Sequence, residues 1–104
     1  MISLVIPAHN ESRLLAGTLH ALHEATRAVA EPFEVIVVDD ASDDGTAQIA
    51  TNNDAKVLRV EHRHIAATRN AGAAAATGDR LVFVDADTLI NASVLAAALQ
   101  ALDQ

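Results

Sequence analysis

Two aspartates one residue apart, Asp85 and Asp87, follow directly on the apolar run Leu81 to Val84. In an extended segment residues i and i+2 project to the same side. The spacing therefore predicts two carboxylates facing one point. Mg²⁺ or Mn²⁺ takes one or two protein carboxylates and completes its shell with phosphate oxygens and water. Such a cation neutralises a diphosphate leaving group. Two more polar clusters have the same placement. Pro7-Ala8-His9-Asn10-Glu11 follows the run Leu4 to Ile6, and Asp39-Asp40-Ala41-Ser42 follows Val35 to Val38. Of the second pair, one aspartate braces the loop. The other, taken to be Asp40, accepts a hydrogen bond from a base N–H or a ribose hydroxyl. Each cluster alone is also ordinary turn chemistry. Three of them at strand ends point to a site. Arg69, beside Asn70, reads either as a solvated helix arginine or as a nucleotide contact. His62 and His64 read as loop residues, because no metal-ligand spacing surrounds them.

The elements that position these groups alternate strictly. Four short β-branched or aliphatic runs are strands: Leu4 to Ile6, Val35 to Val38, Val57 to Val60 and Leu81 to Val84. The first, second and fourth are continuously apolar, as strands covered on both faces are. Lys56 and Arg59 mark the third as an edge. Leu15, Leu19, Leu22, Ala25 and Val29 follow helical spacing, with Asn10 or Ser12 available as a cap. Thr46 to Thr51 is a shorter helix behind the turn Asp43-Asp44-Gly45. Ile65 to Ala76 is an alanine-rich helix with Gly78 as its C-terminal stop. Leu95, Ala98, Leu99 and Leu102 mark a last helix after Asn91 or Ser93. The order βαβαβαβα predicts the α/β class, with a Rossmann-like parallel sheet and right-handed crossovers. Ligands of such a sheet bind outside the carboxyl ends of its strands, where all three clusters lie.

Composition narrows the partners. A chain of 104 residues is one domain at most, with a modest core that buries about 60–65% of its unfolded surface. The net charge of −7 and the single lysine, Lys56, argue against nucleic acid. With two Phe and no Trp or Tyr there is no aromatic platform for bases. The absence of cysteine excludes disulfides and thiolate zinc sites. No apolar run nears the roughly 20 residues that span a bilayer, and no signal peptide opens the chain, so the default compartment is the cytoplasm.

The segments "VIPAHNE" (5–11), "VVDDASDDGT" (37–46), "ATRNAGAAAATGD" (67–79) and "LVFVDADT" (81–88) resemble, in order and spacing, the motifs of family 2 glycosyltransferases with the GT-A fold. The resemblance runs from Ser3 to about Leu102. It implies strand order 3-2-1-4 and a domain, residues 1–104, that binds a nucleotide diphosphate sugar such as a UDP- or GDP-sugar. Pro7, Ala8, His9 and Glu11 map to the nucleoside pocket, with His9 where an aromatic residue is common. Asp40 maps to the base or ribose contact, and Arg69 to the family's arginine. Asp85 and Asp87 map to the Asp-x-Asp that holds Mn²⁺ or Mg²⁺, with Asp87 the principal ligand. His64 stands where the family often has Gly. The family's acceptor site and, in inverting members, its acidic general base map to no residue here. The resemblance thus implies a donor-binding part of a longer glycosyltransferase. Its acceptor is unspecified, and in full length it works in the cytoplasm or at the cytoplasmic membrane face. A homodimer through the apolar fourth strand or the last helix is expected.

Other classes fit less well. A receiver domain needs its acidic pair after strand one and a lysine after strand five. A haloacid-dehalogenase-like phosphatase carries Asp-x-Asp on its first strand. Gly17, Gly45, Gly72 and Gly78 form neither a dinucleotide fingerprint nor a phosphate loop. The alternative that survives is a nucleotide-binding module without catalysis.

Overall fold

The computed structural model describes residues Met1 to Asp103. The elements are β1 (Ile2–Ala8), α1 (Leu15–Val29), β2 (Phe33–Asp40), α2 (Thr46–Asn52), β3 (Lys56–Val60), α3 (Ile65–Ala75), β4 (Arg80–Phe83) and α4 (Ala92–Leu102). The sheet is parallel throughout, in the order β3-β2-β1-β4.

Period-two alternation along β1 sorts its side chains to the two faces. Ile2, Leu4 and Ile6 join Leu15, Leu19, Leu22, Leu95 and Leu99 in the larger core, under α1 and α4. Val5 joins Ile36 and Val38 in a smaller core under α3. The small side chains of α3 let it lie close to the strands. A Cβ on Gly72 would meet Val5 Cγ1 at 2.3 Å and Val38 Cγ2 at 2.8 Å.

β1 and β2 are buried almost throughout, as continuous apolar runs require. β4 departs from that expectation. It is an edge strand like β3, half-buried, with Phe83 43% exposed. The α1 cap also differs. Leu14 occupies the N-cap position without a side-chain bond. The candidate caps bind the β2 loop instead: the Asn10 N–H donates to Ser42 Oγ, and the Ser12 N–H to Asp44 Oδ2. Gly78 does not cap α3, which ends at Ala76 with no left-handed residue. Gly78 is small because a Cβ there would lie 2.6 Å from both the Met1 carbonyl and Ser3 Oγ. Asn91 caps α4, its Oδ1 accepting the Val94 N–H.

β4 pairs with β1 only as far as Val5↔Phe83, while β1 and β2 remain paired to Ala8↔Asp39. Past Val5 the two strands part. Pro7, with no N–H to give, sits in that unpaired stretch, where a central strand tolerates it. The side on which strands are added also switches there, since β2 and β3 lie on one side of β1 and β4 on the other. Parallel α/β sheets place their ligand crevice at such a point.

Candidate functional site

A cleft of about 610 Å³ opens at this point. The β1 end contributes Pro7, Ala8, His9 and Glu11; the β2 end contributes Asp40; the loop after β4 contributes Asp85, Ala86 and Asp87. The three clusters singled out in the sequence therefore share one cavity. Four further lining residues, Arg63, His64, Ile65 and Thr68, come from the loop after β3 and the first turn of α3. The sequence reading left that loop out. The rule applied to the other three strand ends would have included it.

Asp85 and Asp87 are exposed and flank the buried Ala86. The segment between them is not extended as expected. The Thr88 N–H donates to the Asp85 carbonyl at 3.1 Å, closing a turn, and both carboxylates still line the cleft. The turn is held from beneath, where the buried Thr18 hydroxyl of α1 donates to the Ala86 carbonyl at 2.7 Å. Arg69 does not line the cleft. Its Nη2 lies 3.7 Å from Asp85 Oδ1, and its guanidinium stands 5.8 Å from the Phe83 ring centroid. It reaches the site through Asp85.

Asp40 is buried, and its carboxylate is occupied by the chain itself. Oδ1 accepts the N–H groups of His62 (2.8 Å) and Arg63 (2.9 Å). Oδ2 accepts the His64 N–H (3.3 Å) and the Thr68 hydroxyl (2.8 Å). A carboxylate has about four lone-pair sites, so a base N–H would have to displace one of these donors. Burial pushes the Asp40 carboxyl up. The Arg63 amide, the Thr68 hydroxyl and the His62 and His64 amides outweigh it and hold the group below the ordinary aspartate value. The expected direct contact to base or ribose thus competes with a structural role: folding the β3–α3 loop against the cleft.

The Asp40 carbonyl also accepts from His9 Nδ1 at 2.6 Å. A carbonyl only accepts, so Nδ1 carries the proton. In the neutral ring, Nε2 is then an acceptor, facing Asn10 Nδ2 at 3.4 Å and Arg63 Nη2 at 3.5 Å. His64 is more than a loop residue. It caps α3, its Nδ1 accepting the Ala67 N–H at 3.3 Å. Asp39 is the bracing aspartate, with Oδ1 accepting the Ser42 N–H.

Among the described residues no three carboxylates or imidazoles gather into a complete cation cage. Two hard oxygen donors, Asp85 and Asp87, line the cleft together. That set suits a cation which draws its remaining ligands from phosphate and water. No helix among the described residues is long and apolar enough to cross a membrane.

Relatives carry the same architecture. The mannosyltransferase PcManGT from Pyrobaculum calidifontis, solved with GDP-Man and Mn²⁺, superposes with a TM-score of 0.84 at 30% identity, over 99% of this chain and 32% of that one. S. aureus TarS 1-349 in complex with UDP gives a TM-score of 0.79 at 31% identity, over 98% of this chain and 32% of that one. The glycosyltransferase AglD of Haloferax volcanii is 37% identical over 94 residues, which is 83% of this chain and 15% of AglD. The chain spans a third or less of the length of these relatives. The parallel sheet in order 3-2-1-4 is that of GT-A glycosyltransferase structures. With the glycosyl transferase family 2 profile matching residues 3–104, these findings show that the chain belongs to that family.

Proposed function

We propose that the cleft binds a nucleotide diphosphate sugar, a UDP- or GDP-sugar, together with a divalent cation, Mn²⁺ or Mg²⁺, for glycosyl transfer to an acceptor. One observation carries this reading: the Asp85 and Asp87 carboxylates share a cavity with the β1 and β2 loop ends at the switch point of the sheet. The UDP complex of TarS and the GDP-Man and Mn²⁺ complex of PcManGT support it. Asp85 and Asp87 would hold the cation, with Asp87 the principal ligand because Asp85 also faces Arg69. Bound there, the cation would neutralise the diphosphate leaving group. Thr18 fixes the turn that carries both aspartates. Asp40 fixes the opposite wall. Pro7, Ala8, His9 and Glu11 line the nucleoside side.

Calorimetry of UDP and GDP with Mn²⁺, and again after EDTA, tests the proposal. Binding is expected only with the cation. Asp87→Ala should lose it nearly completely and Asp85→Ala should lose a large part. Equal affinity with and without EDTA would overturn the assignment. On this reading the general base that would deprotonate the acceptor lies outside these residues, so the purified 104 residues should transfer no sugar to an added acceptor. Robust turnover would show that the base lies within them.

A further inference from the structure

We propose that Arg63, steadied by His9, is the residue on which the nucleobase lies, doing in this chain what an aromatic side chain does elsewhere. This rests on the reading of the cleft as a nucleoside diphosphate site.

The need comes from composition. A base bound in a cleft is commonly stacked on a planar side chain, and the chain has no Trp or Tyr. Neither phenylalanine is available. Phe33 packs edge-on against His23, Phe83 lies beneath Arg69, and neither lines the cleft. The planar groups that do line it include the imidazole of His9 and the guanidinium of Arg63. Guanidinium planes stack on aromatic rings.

Arg63 is held in an uncommon way. Its backbone is left-handed, φ 49°, which is rare outside glycine and, when observed, raises a hypothesis of function. The Asp40 carboxylate maintains it by taking the Arg63 N–H together with those of His62 and His64. The side chain meets His9 Nε2, and His9 is itself hung on the Asp40 carbonyl. Asp40 thus sets both ends of Arg63. The guanidinium has no carboxylate partner among the described residues, whereas Arg27, Arg59, Arg69 and Arg80 each lie within 4 Å of one. Most of its five donors remain available to a ligand.

Position separates base from phosphate. Across the sheet order 3-2-1-4, Arg63 follows β3 at one end of the cleft, and Asp85 and Asp87 follow β4 at the other. A cation and diphosphate at the aspartates leave the nucleoside end at Arg63.

The test is calorimetry of UDP and GDP with Mn²⁺, and NMR titration of uridine and guanosine, on the 104-residue chain and on Arg63→Ala and Arg63→Lys. Lysine keeps the charge and loses the plane. Both variants should weaken the preferred nucleotide by roughly tenfold, the lower part of the range for one base stack. The phosphate-free nucleoside should weaken by the same factor, and the unfolding temperature should stay unchanged. Full rescue by lysine, or a loss confined to the diphosphates, would make Arg63 a phosphate contact and overturn the proposal. Unchanged affinity in Arg63→Ala would overturn it while leaving the nucleotide reading intact. If the unsubstituted chain bound neither UDP nor GDP, both readings would fall together.

Discussion

The Thr18 hydroxyl, buried in the first turn of α1, donates to the carbonyl of Ala86 between the two site aspartates. The start of a helix and a ligand loop are thereby joined through one proton. Thr18→Val keeps the shape and leaves that carbonyl without a partner, which should cost about 1–3 kcal/mol of stability. Affinity for UDP or GDP with Mn²⁺ should fall as well, because Asp85 and Asp87 lose their common support. Thr18→Ser should restore it. Lower stability with unchanged cation-dependent binding would mean that the contact only fastens α1 to the loop.

Asp40 and Asp44 lie near the same end of the sheet and should answer differently. Asp40→Asn replaces an acceptor of four internal donors with a group that is half donor, so the β3–α3 loop should loosen at a cost of roughly 2–3 kcal/mol. Nucleotide affinity should drop with it. Asp44, exposed, binds the Thr46 hydroxyl and amide and the Ser12 amide in a turn outside the cleft. Asp44→Ala should barely alter nucleotide binding. Equal losses at the two positions, measured by calorimetry, would contradict a special role for Asp40.

Glu34 should contribute to acid sensitivity from the far end of the sheet. Its carboxylate meets Lys56 Nζ at 2.8 Å, Ser3 Oγ at 2.6 Å and the Thr77 N–H at 2.7 Å. These bonds, the one from Lys56 foremost, hold its pKa at about 2 against an ordinary 4.5. A folded-state pKa below the unfolded one means that the unfolded chain binds the proton first as pH falls. The contribution of Glu34 is therefore complete above about 4.5 and is gone once pH has fallen through about 2. Urea midpoints across that window should decline in the unsubstituted chain and decline less steeply in Glu34→Gln, where the lowered carboxyls of Asp40, Asp44 and Asp79 remain. Parallel curves would place the acid sensitivity elsewhere.

Phe83 and the outer edge of β4 predict association. Leu81, Val82 and Phe83 form an apolar edge strand paired on one side only, with no Lys or Pro to block further pairing. A homodimer through this edge is expected in light scattering over a range of concentrations. A monomer at the highest concentration would show that α4 screens the strand sufficiently.

The alternation of strands and helices was legible because each strand is a short β-branched run and each helix a periodic one. The site was legible only where acidic residues followed an obvious strand. Arg63 escaped notice, and His62 and His64 were read only as loop residues, because β3 is a half-polar edge whose end does not stand out as a strand end. The inward duty of Asp40 was illegible for a different reason. Its donors arrive 22 to 28 residues later in the chain, and only the crossover back from β3 brings them to it. Asp85 and Asp87 were placed together for the wrong local reason, since a turn rather than an extended segment carries them.

The central position of β1 has a consequence for how the molecule is made. β1 needs partners on both edges, and one of them, β4, follows it only after two other strands and three helices. Until Arg80 to Phe83 have left the ribosome, Ile2 to Val5 present one unpaired edge. Contacts between such distant parts of a chain form slowly, and exposed strand edges invite capture by other chains meanwhile. A nascent chain halted before Arg80 should therefore be protease-sensitive and prone to stick. Release of β4, more than closure of any helix, should be the event that commits the domain to its native state.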